Sequence, residues 1–388
     1  MRQITARGKD SRVVAHEARL RYVSDRRPGL QRKRRGTGFR YVTADGKQAN
    51  RVELKRIREL AIPPAWEQVW ICPHPNGHLQ ATGRDAKGRK QYIYHPQWHA
   101  VRKQTKFHRL AEFGEALPRI RRRVGRDLRL RGLPREKVVA AVVWLLEQTH
   151  IRIGNPEYAD ENESFGLSTM RNRHVAVHGQ RLEFRFRGKS GKFHQVDFTN
   201  QRLARIVKRC QDLPGYDLFQ YLDDAGEIHN LTSEDVNNYL HAVAGEEFSA
   251  KDFRTWAGTI RAAQVLQRLQ GTDNEKPTAS ALVAAIDKVA AALGNTRAVC
   301  RNYYIHPAIM DSYLDSTLTQ WFTAPSPRHA RAGLSGAEAA VLRLLKRRRA
   351  AGRPDQSRER PSRNPRSKPA TATEASTVRL GGAEAFSG

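Results

Sequence analysis

The sequence predicts an α+β protein in which a small β-rich N-terminal domain precedes a mostly helical domain carrying a three-stranded antiparallel sheet. Short β-prone runs between Pro- and Gly-containing turns fill residues 68–94, and helical patterns take over from residue 96. A second group of three β runs interrupts the helices at residues 174–198. Hydrophobic residues make up 39% and aromatics 8%, enough to fill one or two cores.

Residues 1–38 are rich in Arg and Lys, end in Arg32-Lys33-Arg34-Arg35-Gly36, and read as a basic arm with room for one short strand. Runs at 68–72, 78–82 and 91–94 alternate with the turns Pro73-His74-Pro75-Asn76-Gly77 and Gly83-Arg84-Asp85-Ala86-Lys87-Gly88, as in an antiparallel meander. Residues 96–117 predict a polar helix, and Arg119-Ile120-Arg121-Arg122-Arg123 reads as a link into the second domain. Residues 134–149 predict a helix with a nearly continuous apolar face, central in a core. The β runs 174–177, 181–187 and 192–198 are joined by His178-Gly179-Gln180 and Gly188-Lys189-Ser190-Gly191, both turn-like. Helices follow at 201–211, at 233–244 with Thr232 as N-cap and Asp235 three residues on, and behind Ser249 to about residue 269. Another spans 279–293 and closes at Gly294, and Pro307 opens a last one reaching about residue 322. Beyond 325, Pro, Ser, Gly, Ala and Arg dominate, apart from a helix candidate at 337–350 capped by Ser335 and Glu338. The division expected is a basic arm at 1–38, a β-rich domain at 39–117, a second domain at 118–324 and a basic, mostly disordered tail at 325–388.

A chain of 388 residues with 69 Lys+Arg against 39 Asp+Glu carries a formal charge of +30, which points to a polyanionic partner. The longest apolar run, 138–146, falls far short of the roughly 20 residues a bilayer span needs, and residues 1–22 contain no signal-peptide-like stretch. Neither a membrane partner nor export is expected. Cys72, Cys210 and Cys300 lie far apart without CxxC spacing, as expected of reduced, buried thiols and not of a disulfide framework or a zinc site. The sequence has no Gly-x-x-x-x-Gly-Lys-Ser/Thr loop, no Asp-x-Asp cluster and no Gly-x-Ser-x-Gly elbow, so ATP-driven and metal-driven chemistry lose weight. Neither cofactor nor metal is expected. A basic protein acting on nucleic acid without metal must stabilise phosphoryl charge with Arg and Lys and supply a nucleophile, a role Tyr can fill.

Several segments take on meaning together: Ala61-Ile62-Pro63-Pro64-Ala65-Trp66, Trp70-Ile71-Cys72-Pro73, Asn76-Gly77-His78-Leu79-Gln80-Ala81-Thr82-Gly83-Arg84-Asp85, Lys90-Gln91-Tyr92, Ile151-Arg152-Ile153-Gly154-Asn155, Lys251-Asp252-Phe253-Arg254-Thr255-Trp256 and Leu293-Gly294-Asn295-Thr296. In this order and spacing they resemble the bacterial branch of DNA topoisomerase IB, related to the poxvirus enzyme, over about residues 20–324. The resemblance implies two domains that clamp duplex DNA from opposite sides. It also implies an enzyme that nicks one strand through a 3′-phosphotyrosyl bond, lets the duplex swivel and reseals it without metal or ATP. The implied partner is double-stranded DNA, bound by a monomer in the cytoplasm at the bacterial nucleoid.

By the same resemblance the nucleophile lies nine residues beyond Asn295, at Tyr304, with Tyr303 as an adjacent rival because Asn302-Tyr303 stands where relatives carry Lys-Ser. Neighbouring helical residues point about 100° apart, so only one of the two can face a phosphate. Arg152 and Arg254 are assigned to the scissile phosphate, where planar guanidiniums hold non-bridging oxygens in a way Lys does not. The ordinary alternatives are a helix C-terminal cation for Arg152 and a surface pair with Asp252 for Arg254. Lys189, at the tip of a glycine-rich hairpin, is assigned as general acid to the leaving 5′-oxygen, with Lys192 as a neighbouring phosphate contact. Asn295 replaces the His of poxviral and eukaryotic relatives and offers a neutral amide donor.

Gln91, Tyr92 and Tyr94 align with groove-contacting positions, although strand alternation puts Gln91 on the face opposite the tyrosines. Arg297 and Phe165 depart from the family's Pro and Tyr, and Arg297 offers a further phosphate contact. Two rival readings are a tyrosine recombinase and a non-enzymatic basic DNA-coating protein. The first lacks its usual His-x-x-Arg, since Lys251-Asp252-Phe253-Arg254 stands there, and the second needs none of the catalytic residues to coexist.

Overall fold

The computed structural model describes residues 11–245, 248–270, 277–323 and 333–351. Helix α1 (Ser11–Glu17) leads to strands β1 (Leu30–Arg35) and β2 (Gly38–Val42), helix α2 (Arg51–Glu59), and strands β3 (Glu67–Ile71), β4 (Leu79–Arg84) and β5 (Lys90–Tyr94). The strands form one antiparallel sheet in the order β2-β1-β3-β4-β5. Helix α2 starts in a capping box between Asn50 and Glu53, and packs against a core of Leu30, Ala49, Ile57, Val69, Ile71 and Ala81.

The meander expected at 68–94 is therefore β3-β4-β5, but the sheet reaches back into the span read as an arm. Its basic run lies in strand β1, which pairs with β2 along the run and with β3 at Leu30 and Gln31, and Leu30 is in the core. Backbone pairing is indifferent to side-chain charge, and the charge itself is put to use. Arg32 donates to the carbonyls of Pro63 (3.1 Å) and Trp66 (2.5 Å), and lies over the Phe39 ring.

Helices α3 (Pro96–His108) and α4 (Leu110–Asp127) follow, meeting at Arg109. The expected link at Arg119–Arg123 is the interior of α4. Leu110, Phe113, Leu117, Ile120 and Val124 recur at helical spacing and are buried, while the arginines between them are used from the opposite side. Arg119 donates to the Ala244 carbonyl at 2.9 Å, Arg121 pairs with Glu147 and Glu338, both at 2.7 Å, and Arg123 pairs with Asp127 at 2.5 Å.

Helix α5 (Arg135–Thr149) is the hub of the second core, with Val138 to Val143 and Leu145–Leu146 at most 1% exposed. Around it stand α6 (Pro156–Asn162), the antiparallel sheet β6 (Val175–His178), β7 (Arg181–Arg187) and β8 (Phe193–Thr199), helix α7 (Gln201–Gln211), and the hairpin β9 (Gln220–Leu222) and β10 (Ile228–Asn230). Helices α8 (Ser233–Ala244), α9 (Ala250–Gln270), α10 (Ala279–Leu293), α11 (Arg297–Tyr303), α12 (Pro307–Leu314), α13 (Leu318–Thr323) and α14 (Gly336–Ala351) complete it. The single helix expected from Pro307 is broken at Ser316, whose φ of 59° is left-handed, so that it becomes α12 and α13.

Within the span read as a tail, α14 is packed on the core. Ser335 and Glu338 cap it as the sequence suggested, and Val341, Leu344 and Leu345 are buried. Glu338 accepts from Trp256 Nε1 at 3.1 Å, and Arg349 reaches Glu112 at 2.5 Å. The rest of that span, 324–332 and 352–388, lies outside the described residues. Among the described residues no helix is long and apolar enough to cross a membrane.

Three histidines tie this fold to pH. Burial pushes His150, His174 and His306 down to about 4, and nearby cations act in the same direction. His174 Nδ1 accepts from the Arg171 N–H, and His306 Nδ1 accepts from the Ala308 N–H, both at 3.1 Å, bonds that require neutral rings. The unfolded chain takes up protons on these rings below about 6.5 while the folded chain does not, so their contribution to stability is full above that pH and is lost towards pH 4. Melting temperature is expected to fall across that window, and His306→Asn, which keeps a cap acceptor without titrating there, to flatten part of the slope. A melting temperature that stays level from pH 6.5 to 4 would show the rings to be charged within the fold.

Candidate active site

Four chain segments converge beside the C-terminal end of α5. That helix ends at His150 in a left-handed conformation (φ 57°, ψ 18°), which turns the chain sharply and aims Arg152 back across the core. Arg254 comes from the first turns of α9 and is only 5% exposed. Its guanidinium ties two helix C-termini together, donating from Nη1 to the His150 carbonyl and from Nη2 to the Leu293 carbonyl at 2.7 Å. Orphan carbonyls at the negative ends of α5 and α10 thus hold the cation in place. The surface pair with Asp252 does not form, because Asp252 accepts from the Ser249 N–H (2.8 Å) and hydroxyl (3.1 Å) at the start of α9.

Helix α10 ends at Gly294 in the left-handed region, which places Asn295 against Arg152; Arg152 Nη2 donates to Asn295 Oδ1 at 2.5 Å. Asn295 Nδ2 and Arg254 Nε are buried with no hydrogen-bond partner among the described residues. Unpaired buried donors of this kind are costly unless a ligand acceptor completes them. Burial and the neighbouring Arg254 pull the Arg152 guanidinium below its ordinary value, with Tyr304 and Cys300 acting in the opposite direction.

Tyr304 follows the last residue of α11. Its backbone carbonyl accepts from Thr259 Oγ1 at 3.2 Å, and a Cβ on Gly258 would lie 2.6 Å from the same oxygen, so glycine is required there. The Arg254 guanidinium lies 5.3 Å from the Tyr304 ring centroid, and Lys106 Nζ lies 5.1 Å from it. Tyr303 is 46% exposed and contributes its carbonyl, not its ring, to this neighbourhood.

The structure therefore brings Tyr304, Arg152, Arg254 and Asn295 together. Lys189 stands exposed at the hairpin tip, where Ser190 (φ 64°) and Gly191 (φ 72°) turn the chain, and contacts neither arginine nor Tyr304 among the described residues. Lys192, also exposed, is closer electrostatically, since its charge acts on both His194 and Cys300.

His194 is a site residue that sequence reading did not single out. Its ring stacks on Phe186 at 5.2 Å and wedges between Gly188 and Gly294, where a Cβ would come within 2.6 and 2.8 Å of it. It sets the hairpin base against the residue preceding Asn295. The only sequence signal was the pair of glycines. Burial, with Arg152, Arg254 and Lys192, holds the imidazole below its ordinary value. Lys106 gave no signal at all, since it reads as one more cation on a polar helix.

On the sheet, Tyr92 and Tyr94 stack at 6.0 Å and 10°, sharing a face as alternation requires, and Tyr92 is half exposed. Gln91 donates to Asp85 Oδ2 at 2.9 Å. Arg297 is engaged by Asp287 through two hydrogen bonds of 2.6 Å, and Phe165 is buried against His174.

Residues 95–320 match the family described as eukaryotic DNA topoisomerase I, catalytic core, and residues 38–85 match the bacterial DNA topoisomerase IB N-terminal domain. The chain is 30% identical over 293 residues to a DNA topoisomerase 1B of Acanthamoeba polyphaga mimivirus, a match spanning 74% of this chain and 87% of the relative. It is 22% identical over 255 residues to the DNA topoisomerase 1B of Vaccinia virus (strain Copenhagen), spanning 64% and 76% respectively.

Proposed function

This chain belongs to the type IB DNA topoisomerase family and is an isomerase acting on duplex DNA; from that premise we propose that it relaxes supercoils through a 3′-phosphotyrosyl intermediate formed on Tyr304. The Tyr304 oxygen gives up its phenolic proton to solvent and attacks the scissile phosphorus, the new P–O(Tyr) bond forms as the P–O5′ bond breaks, and a proton reaches the departing 5′-oxygen, so that the proton count is unchanged. Transesterification conserves the number of phosphoester bonds, so resealing by the same oxygen needs no ATP. Arg152, Arg254 and the Asn295 amide hold the non-bridging oxygens and offset the charge that builds on them in the transition state. Lys189 donates the proton to the leaving group and Lys192 holds a neighbouring phosphate. Tyr92 and Tyr94 face the groove of a duplex enclosed between the sheet and the helical core, with Gln91 on the other strand face held by Asp85, and the enzyme acts as a monomer.

One observation carries this reading: a tyrosine and two arginines from three separate segments meet at one place, with buried donors left unpaired beside them. The test is a supercoiled plasmid in EDTA without ATP, where relaxed topoisomers are expected. Recombinant circles would favour a recombinase, and band shifts alone a coating protein. In the same assay Arg152→Ala is expected to slow single-turnover cleavage at saturating DNA by about 10²-fold or more, the scale for removing one preorganised donor. Arg254→Lys is expected to fail as badly, because three donors on one compact nitrogen do not span two separate carbonyls and a phosphate oxygen as the planar guanidinium does. A defect of either variant confined to binding would reduce these residues to phosphate anchors.

A further inference from the structure

The segment that presents Tyr304 is gripped from outside the helical core by two lysines of α3, one turn apart. Lys103 Nζ donates to Asn302 Oδ1 at 3.3 Å, and Lys106 Nζ donates to the Tyr303 carbonyl at 2.5 Å. That carbonyl belongs to the last turn of α11, where orphan acceptors and the negative end of the helix dipole favour a cation. The Lys106 ammonium also stands 5.1 Å from the Tyr304 ring centroid and 5.9 Å from that of Phe107, within reach of a cation–π attraction to both. Lys106 is a half-buried cation engaged by a carbonyl and two rings, unlike an ordinary solvated lysine on a polar helix.

We propose that Lys106 is a positioning residue for the transesterification, its ammonium fixing the last turn of α11 and the face of the Tyr304 ring so that the phenol oxygen meets a phosphate held by Arg152 and Arg254. This rests on Tyr304 being the nucleophile. The grip begins at the sheet read above as facing DNA, since α3 follows β5 after a single residue, His95, whose N–H donates to the His78 carbonyl at 2.9 Å. Tyr92 and Tyr94 are thereby joined through one helix to the turn that presents the nucleophile.

The charge on Lys106 is conditional. Burial pushes it down to about 8; Asp252 on α9 favours the ammonium, while Lys251 and Arg254 on the same helix oppose it, and α11 faces it with the Tyr303 carbonyl and the Tyr304 ring. As pH rises through about 8 the ammonium loses its proton and with it the attraction to the ring.

The experiment uses the full-length protein with Lys106→Met and Lys106→Arg. Single-turnover cleavage of a duplex at saturating enzyme is measured from about pH 7 to 9, and the dissociation constant for the same duplex separately. Lys106→Met is expected to cleave about 10²-fold more slowly at saturation with a nearly unchanged dissociation constant, since a misplaced reacting group is felt in the rate and not in binding. Lys106→Arg is expected to recover most of the rate, and its rate relative to wild type to climb as pH passes about 8, because the guanidinium stays charged. A saturated rate unaffected by Lys106→Met, or a defect seen only in affinity and its salt dependence, overturns the proposal. If Lys106→Met does not fold, a flat ratio of Lys106→Arg to wild type across the pH range overturns it equally. Mapping the wild-type adduct by peptide sequencing keeps the two claims apart: an adduct away from Tyr304 removes the underlying reading whatever the lysine variants do, whereas one at Tyr304 leaves the lysine data to decide.

Discussion

Tyr304→Phe is expected to form no covalent adduct with DNA and to leave supercoiled plasmid unrelaxed, yet to bind duplex DNA nearly as well as the intact chain. The substitution removes one oxygen and keeps the ring. The ring is the part that packs beside Arg254 and Lys106, and the hydroxyl makes no hydrogen bond among the described residues, so fold and charge distribution are preserved. An oxygen that acts only by attacking phosphorus contributes to the reaction rate and almost nothing to affinity. Denaturing gels of enzyme mixed with end-labelled duplex read the adduct, and gel shifts read the binding. The neighbouring Tyr303 supplies the control. Its ring is half exposed, so Tyr303→Phe is expected to cleave normally. An adduct that survives Tyr304→Phe and disappears in Tyr303→Phe would shift the register of the site by one residue.

That Arg152, Arg254, Asn295 and Tyr304 belong in one neighbourhood was legible in the sequence, because they sit in short segments whose order and spacing resemble a family's. The close of α10, which sets Asn295 against Arg152, is a helix end that the sequence marks, whereas the left-handed His150 that turns Arg152 is not. Thr232 and Asp235 form the capping box that starts α8, and Gly294 in the left-handed region ends α10. These signals are local, so they survive without tertiary knowledge. The glycine-bearing turns delimiting β6, β7 and β8 are local in the same sense.

What escaped the sequence depended on partners far along the chain. The arginines of 119–123 suggested a link because their charges are conspicuous, whereas the helix is set by the buried stripe from Leu110 to Val124 between them. The basic run of β1 suggested a solvated arm because its charges are conspicuous, whereas the strand is tied into the sheet by Leu30 and Gln31, whose partners on β3 lie some 40 residues away. Helix α14 was legible as a helix from its Ser335–Glu338 cap, but its docking depends on Trp256 and Arg121, and no composition rule announces that Glu338 will be shared between them. His194 and Lys106 belong to the same class, being ordinary residues whose importance comes from what lies opposite them.

The second large effect concerns Lys189, whose proposed role is proton donation and not charge stabilisation, two functions that chemistry can separate. Lys189→Ala is expected to slow cleavage of an ordinary duplex by about 10² to 10⁴-fold, the range in which a general acid acts on a poor leaving group. An alkoxide leaves only if a proton arrives in the transition state. When sulfur replaces the bridging 5′-oxygen the leaving group becomes a thiolate, stable near neutral pH, and the proton is no longer needed. Lys189→Ala should then cleave the sulfur-bridged duplex almost as fast as the intact enzyme, whereas Arg152→Ala, which acts on non-bridging oxygens, stays slow on both. The exposed position of Lys189 at the tip of its hairpin makes the comparison sharper, because a lysine that merely anchors a neighbouring phosphate from such a tip slows both substrates alike. Equal impairment on oxygen and sulfur would remove the general-acid role from Lys189. The next candidate would be Lys192, whose charge already reaches His194 and Cys300 beside the arginines, and the same pair of substrates applied to Lys192→Ala would decide it.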